Sequence, residues 1–333
     1  MRVVGANIPY EWLIYIFMFI PIAIFLYGLY LRVRVYFVPK GELNRLDKLG
    51  TRIVSWFTYT FAQAKVIKNP LAGLMHFFLF WGFLVLFLAA GIDALHNMIN
   101  WPHLEGSFYI GFSLVVDFLG FLAMVGILVL GIVRYVQKPD RLNDTKKSDG
   151  WIIVLVFSIL FTGFIIEGLR IAAQIKMATQ MQFIAYEKTA SPFGWMFAQM
   201  FTGANMDGIL LWHRILWWFH MAIAFAFIAL VPFTKLWHIF TIMANDFVRD
   251  LSPKGASIRM IENIEEAETF GVENLEEFTW KDFLDFDSCI RCGRCQDNCP
   301  AYLTGKNLNP KITLIQALKK HMDEKVPYLL AAG

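Results

Sequence analysis

Residues 71–95 read LAGLMHFFLFWGFLVLFLAAGIDAL, 25 residues among which only His76 and Asp93 can carry a charge. At about 1.5 Å per residue, a helix of that length exceeds the roughly 30 Å hydrocarbon core of a bilayer. Lipid offers the backbone no hydrogen-bonding partner, so such a segment crosses as a helix that satisfies its own N–H and C=O groups. Outward from it, four further stretches have the same character: Trp12 to Leu31, Phe108 to Val133, Trp151 to Ala173 and Ile209 to Leu236. The predicted fold is an all-α polytopic membrane protein built on a five-helix transmembrane bundle.

Composition points the same way. The 333 residues are 57% hydrophobic, 16% aromatic and only 17% charged, where a soluble domain carries about a quarter charged residues. Disorder, collagen-like repeats and a disulfide-stapled secreted scaffold are excluded, because Phe and Trp are abundant and all four cysteines fall within 289–299. The first span is not read as a signal peptide. Only Arg2 precedes it, no small-residue cleavage site follows, and Arg32 and Arg34 close it like a stop-transfer flank.

Loop charges set the orientation, since loops rich in Lys and Arg stay in the cytoplasm. Eight such residues, Arg32 to Lys68, lie between spans one and two, and Arg134, Lys138, Arg141, Lys146 and Lys147 lie between spans three and four. The opposite loops hold none from 96 to 107 and only Lys176 and Lys188 from 174 to 208. This places the N-terminus outside and the C-terminal tail in the cytoplasm of a cell whose inner (plasma) membrane holds the protein. The segment from Arg52 to Pro70 is predicted to be an interfacial helix leading into span two.

A boundary is expected near Asn245, dividing a five-span membrane domain (1–245) from a cytoplasmic tail (246–333). Cut after His238, the body has 19 Lys and Arg against 12 Asp and Glu, and the remainder 11 against 15. Neither part has the dense basic stripe that a phosphate backbone requires, so nucleic acid is not an expected partner. Glu262, Glu265, Glu266, Glu268, Glu273, Glu276 and Glu277 form either a solvated helix face or a docking face for a basic partner.

The tail carries CIRCGRCQDNCP at 289–300. Cys289, Cys292 and Cys295, successive members separated by two intervening residues, have the spacing that wraps a 4Fe-4S cubane, with Gly293 permitting close backbone approach; the fourth, Cys299, followed by Pro300, normally serves a second cluster. The alternative is a zinc site, although structural zinc usually draws on two separated knuckles. A second cysteine run is not found between Pro300 and Gly333. Either a separate polypeptide completes the second cluster, or the sequence is a truncated or split version of a longer one. Asn309-Pro310 is expected to start a helix with Leu314, Ile315, Leu318 and Met322 on one side. The tail is thus read as a small helical ferredoxin-like domain.

Ionisable residues in spans are functional candidates, and neutral imidazole is a usual axial ligand of haem b. His76, His213, His220 and His238 lie in or at the ends of spans two and five. If span five is one helix, His220 and His238, 18 residues apart, share a face over five turns and roughly 27 Å, and His213 lies within about 20° of it. By depth, His76 and His238 would hold one haem on the inner side. On the outer side His220 or His213 needs a partner; His96 has the right depth but faces about 200° away from His76 on a straight helix, so a kink near Gly91 would be required. Each of these histidines also has a plain reading as a packing or interfacial residue. His103 and His321 are read as loop and surface residues. Glu167 and Arg170, three apart, are expected to pair; the alternative is that they, Asp93, Asp117 and Arg214 line a quinone pocket or its proton exit.

Five spans with an outside N-terminus, Leu74-Met-His76 opening span two, and Pro232-Phe-Thr-Lys-Leu-Trp-His238 closing span five resemble the γ subunit of respiratory nitrate reductase and its relatives. The tail from Thr279 through Cys289 to Lys306 looks like the start of the heterodisulfide-reductase-related iron-sulfur domain. Together they resemble the membrane-anchored iron-sulfur oxidoreductases that connect electron-transfer flavoprotein to menaquinone. The resemblance implies a quinone-linked electron-transfer oxidoreductase with a 4Fe-4S cluster, one or two haems b, a soluble flavoprotein or iron-sulfur partner, and menaquinone as substrate. It also implies a second histidine on span two, where this chain has Leu86, and a longer iron-sulfur domain than is present here. An anchor subunit of a heterodisulfide-reductase-like or sulfite-reduction-linked complex, and a non-redox membrane protein with a zinc-binding tail, are the competing readings.

Overall fold

The computed structural model describes residues 7–41, 43–99, 101–102, 104–177, 181–252, 264–266 and 270–332. Among the described residues five helices are long and apolar enough to cross a membrane: α1 (Leu13–Phe37), α2 (Pro70–Ile99), α3 (Gly106–Gln137), α4 (Lys147–Met177) and α5 (Met206–Phe233). The chain is a helical membrane protein; among the described residues the only β-type pairing is a lone bridge between Gly41 and Thr279. α2 starts where the sequence predicts. The Asn69 side chain accepts from the N–H of Ala72 at 3.2 Å and Pro70 takes a position where its missing N–H costs nothing.

The chain divides into two compact units. The first comprises residues up to Ile22, Val66–Gln137 and Lys146–Ala229. Small residues let α2 and α3 approach closely, as membrane helices do without a hydrophobic driving force between them. A Cβ on Gly82 would come within 2.4 Å of the Leu119 carbonyl oxygen. The core is Ala123, Met124, Ile127, Val156, Leu160, Phe164 and Phe197, with Leu79, Phe83 and Leu86 packed against it. Two helices that do not span follow α4: Met181–Ala190 and Pro192–Ala198. Asp117 of α3 accepts from the N–H groups of Phe193 and Gly194, both at 2.8 Å, at the start of the second of them. Its carboxylate is thus a helix cap.

The second unit comprises Ala23–Lys65, Lys138–Thr145 and the chain from Leu230 onward. The ferredoxin-like tail shares this unit with the end of α1 and with the loop joining α3 to α4. Its core of Leu275, Phe283, Phe286, Met322 and Val326 is completed by Val35, Tyr36 and Val38 of α1 and its continuation. The predicted interfacial helix occupies Leu49–Trp56 and continues as a π turn over Phe57–Phe61, ending well before Pro70. Arg52 within it is not interfacial. It is 1% exposed and donates to the carbonyls of Asp47, Phe247 and Arg249, which fixes the helix by satisfying buried acceptors.

Span five departs from the expectation of one helix through His238. Regular α-helix ends at Leu230, a 3-10 turn runs over Val231–Phe233, and Thr234 is extended at φ −127° and ψ −178°. A further 3-10 turn, Lys235–Trp237, is capped by the Thr234 side chain, and His238 then opens a new helix, His238–Phe247. Pro232 cannot donate to the preceding turn, and Thr234 restarts the chain as a local cap. The five-turn arithmetic linking His220 to His238 therefore fails. The helix started by Asn309 forms as expected: its side chain accepts from the N–H groups of Lys311 and Ile312. Ile315, Leu318 and Met322 pack inward, but Leu314 is exposed.

Candidate functional site

The cysteine loop follows the helix Trp280–Asp287, whose start is held by a reciprocal cap between Thr279 and Asp282. Arg291 and Gly293 then take positive φ, 60° and 75°, and turn the chain sharply between the first three cysteines. A Cβ on Gly293 would lie 2.5 Å from the Cβ of Arg141 and 2.7 Å from its carbonyl oxygen. Glycine is required here by the close approach of the α3–α4 loop as well as by the turn. Burial, together with the charges of Cys292 and Cys289, pushes the Cys295 thiol above its ordinary value. Among the described residues no three His, Cys, Asp or Glu side chains converge tightly enough to hold a single ion. A 4Fe-4S cubane is wider than an ion, and three neighbouring thiols at this spacing fit it.

The same loop is clamped by Arg291, Lys311 and Asp144, none of which carried a functional reading in the sequence. Arg291 Nη1 donates to the Asp144 carbonyl at 2.9 Å, and Lys311 Nζ donates to the Arg141 carbonyl at 2.6 Å and to Asp144 Oδ1 at 2.5 Å. Gln316 donates to the other Asp144 oxygen at 3.0 Å. Burial alone would raise the Asp144 carboxyl; the hydrogen bonds from Lys311 and Gln316 and the positive charges outweigh it and hold it below the ordinary range. A depressed folded pKa gives stability that is complete above the unfolded value of about 3.9 and is lost as pH falls through the folded one. The clamp should therefore hold at neutral pH and release in acid, below about pH 4. Acid titration of wild type and Asp144→Asn, followed by proteolysis at 138–145, should show wild type cut only in acid and the variant cut at neutral pH.

Two residues before Cys289, Asp287 forms a buried hub. It accepts from Tyr36 Oη at 2.7 Å, Trp237 Nε1 at 2.8 Å, Lys319 Nζ at 3.0 Å and Arg32 Nη1 at 3.3 Å. Asp287→Ala removes four hydrogen bonds and leaves two cations without their counter-ion. Since Arg32 and Lys319 keep about a quarter of their side chains in solvent, the expected loss is about 3 kcal/mol rather than the upper range for fully buried pairs. Thermal denaturation should show it as a lower Tm, and an unchanged Tm would contradict the hub.

The histidines separate by their ring partners. His220 Nδ1 lies 2.8 Å from Thr162 Oγ1 on α4. Thr162 directs its own proton to the Ser158 carbonyl at 2.6 Å, so Oγ1 accepts from His220 Nδ1–H and leaves Nε2 as the free lone pair. The ring lies against Gly163, where a Cβ would be 3.4 Å from Cε1. His238 Nδ1 donates to the Lys235 carbonyl at 2.6 Å, again freeing Nε2. Burial holds its imidazole below the ordinary value, hence neutral, as an axial ligand must be.

The remaining candidates differ. His96 is buried and its Nδ1 lies 2.9 Å from the Pro102 carbonyl, tying down the turn after α2; α2 runs as unbroken helix through Gly91. His213 is buried with no partner for Nδ1. His76 is half-buried and belongs to the first unit, whereas His238 belongs to the second. Leu86 packs into the core against Gly120. Glu167 and Arg170 pair at 2.7 Å as expected, and Arg170 also binds Glu187 at 2.8 Å. His321 is exposed, while His103, Glu262 and Glu268 lie outside the described residues. Thr162, Gly163, Asp144 and Asp287 were missed in the sequence. The one available signal was the pair of small residues Thr162-Gly163 inside a spanning helix.

The sequence pattern of the nitrate reductase gamma subunit matches residues 80–251, and that of a 4Fe-4S binding domain matches residues 280–301. An EtfAB:quinone oxidoreductase of Syntrophomonas wolfei subsp. wolfei is 71% identical over 332 residues, covering 100% of this chain and 46% of the relative. A probable iron-sulfur-binding oxidoreductase, FadF, of Bacillus subtilis is 26% identical over 308 residues, covering 91% of this chain and 42% of that protein. A probable membrane-anchored ferredoxin of Chromohalobacter salexigens is 54% identical over 41 residues, 12% of this chain and 6% of its own length. The chain spans less than half the length of the first two relatives. No solved structure matches it at a significant level. With more than half of its residues under one family pattern, and a free-Nε2 histidine and a ferredoxin cysteine loop in place, the chain belongs to the nitrate reductase gamma subunit family.

Proposed function

We propose that this chain is the membrane part of an electron-transfer oxidoreductase that passes electrons between a soluble redox partner, a 4Fe-4S cluster, haem b and menaquinone. The observation that carries this reading is a ferredoxin-type cysteine loop in one chain with a gamma-subunit membrane domain whose histidines keep Nε2 free. EtfAB, named in the Syntrophomonas relative, is the proposed soluble partner. The tail lies on the cytoplasmic side of the plasma membrane, on the strength of the loop charges.

Cys289, Cys292 and Cys295 would supply three of the four thiolates of the first cluster, the fourth coming from a further cysteine run. Cys299, immediately before Pro300, is assigned to a second cluster whose other thiolates come from a further cysteine run or a partner polypeptide. His220 and His238 are assigned as haem ligands, and His76, His96 and His213 remain the candidates opposite them. When bound, cluster and haem supply one-electron redox steps; conversion of a quinone to its quinol takes up two electrons and two protons. Thr162 and the Lys235 carbonyl orient the two imidazoles and fix their tautomers, the usual service of groups behind a metal ligand.

Metal analysis and difference spectra test this reading. Purified protein should contain iron and a reducible b-type haem, and, once reduced with dithionite, should be reoxidised by menaquinone-4. Zinc in place of iron and no haem band would favour a non-redox membrane protein.

A further inference from the structure

A cleft of about 290 Å³ opens in the second unit between the end of α1 and the C-terminal helix, Ala317–Ala332. Its apolar walls include Leu31, Phe233 and Leu330, and its polar lining is Arg32, Arg34, Asp287 and Asp323. Arg34 lines this cleft, and its Nε is buried without an acceptor, although its guanidinium packs over the Tyr30 ring at 5.7 Å. A buried donor left unpaired costs its full desolvation, so a ligand that brings an acceptor is stabilised.

The charge balance indicates which acceptor. Arg32 is already paired with Asp287 at 3.3 Å, and the four charged residues of the lining, Arg32 and Arg34 against Asp287 and Asp323, balance in number. An anionic headgroup would meet two carboxylates, whereas a neutral carbonyl meets an unused donor without that penalty. The volume lies near the lower end of small-molecule sites, roughly 300–1,000 Å³, enough for a bicyclic ring but not for a long tail. An isoprenoid tail has its own path, because Tyr27 and Tyr30 on the adjoining surface of α1 are exposed in a helix that crosses the membrane. Asp287, in the cleft wall, is two residues from Cys289, at most about 7 Å along the chain. A ligand here would sit beside the iron-sulfur loop.

We propose that this cleft binds a quinone headgroup, with Arg34 Nε donating to a ring carbonyl. The proposal rests on the electron-transfer reading above and adds where the quinone sits.

The test uses the full protein with its cofactors in nanodiscs and a photoreactive azido-naphthoquinone bearing an isoprenoid tail. Wild type should be labelled on peptides spanning 28–36 or 322–330, with menaquinone-4 competing. Arg34→Lys, which keeps the charge but loses the planar donor, and Arg34→Gln should each lower labelling about tenfold, the value of one charge-assisted hydrogen bond. Leu330→Trp, which fills the cleft and leaves Arg34 alone, should do the same; haem and iron content at wild-type level verify folding of each. Labelling elsewhere, labelling unchanged in all three variants, or displacement by cardiolipin but not by menaquinone-4 overturns the cleft. If reduced wild type is still reoxidised by menaquinone-4 in those cases, the electron-transfer reading survives. Absence of that reoxidation overturns both.

Discussion

Cys292→Ser is expected to strip the iron-sulfur cluster from the purified protein while leaving its haem spectrum unchanged. The thiolate is the ligand, and a serine hydroxyl is neither ionised at neutral pH nor soft enough to replace it. Cys292 is exposed and contributes nothing to the core around Phe283, Phe286, Met322 and Val326, so the fold of the second unit should survive. Iron not bound in haem should fall from roughly four per first cluster to below about one, with acid-labile sulfide falling in parallel. Cys299→Ser should leave that first cluster in place. Full iron in Cys292→Ser would remove the assignment, and loss of the first cluster in Cys299→Ser would mean that Cys299 closes its own cluster.

If His220 is a haem ligand as proposed, His220→Ala is expected to abolish binding of that haem with the cluster intact, since His220 and the cysteine loop belong to different compact units. The more discriminating variant is Thr162→Val, which keeps the shape of the side chain but removes the acceptor at 2.8 Å from His220 Nδ1. Without that acceptor the ring loses its fixed tautomer, and removal of such a partner typically weakens binding about 10- to 100-fold. Haem content after purification at limiting haem should therefore fall steeply in His220→Ala and partially in Thr162→Val. Wild-type haem content and potential in both variants would leave His220 as a packing residue hydrogen-bonded across two helices.

The five spans and the cysteine loop were legible because each depends on residues adjacent in sequence. Length and apolarity decide whether a segment crosses lipid, and the ferredoxin-type cubane loop spaces its thiolates with two residues between them. The pairing of Glu167 with Arg170 was legible for the same reason, three residues on one helix. The continuity of span five was not, because nothing in hydropathy distinguishes Ile209 to Leu236 as one helix from the helix, extended Thr234 and second helix that form. The break depends on Pro232 and on a hydroxyl cap whose strength comes from its surroundings.

Sequence alone therefore determined the class of the molecule and its cysteine motif, both consequences of local spacing. Only the tertiary structure decided what holds those residues. Asp287 gathers Arg32, Tyr36, Trp237 and Lys319; Arg141 closes on Gly293; Thr162 orients His220. These partners lie from 32 to 255 residues apart. No periodicity records such pairs, and their energy arises only when burial removes water as the competing partner.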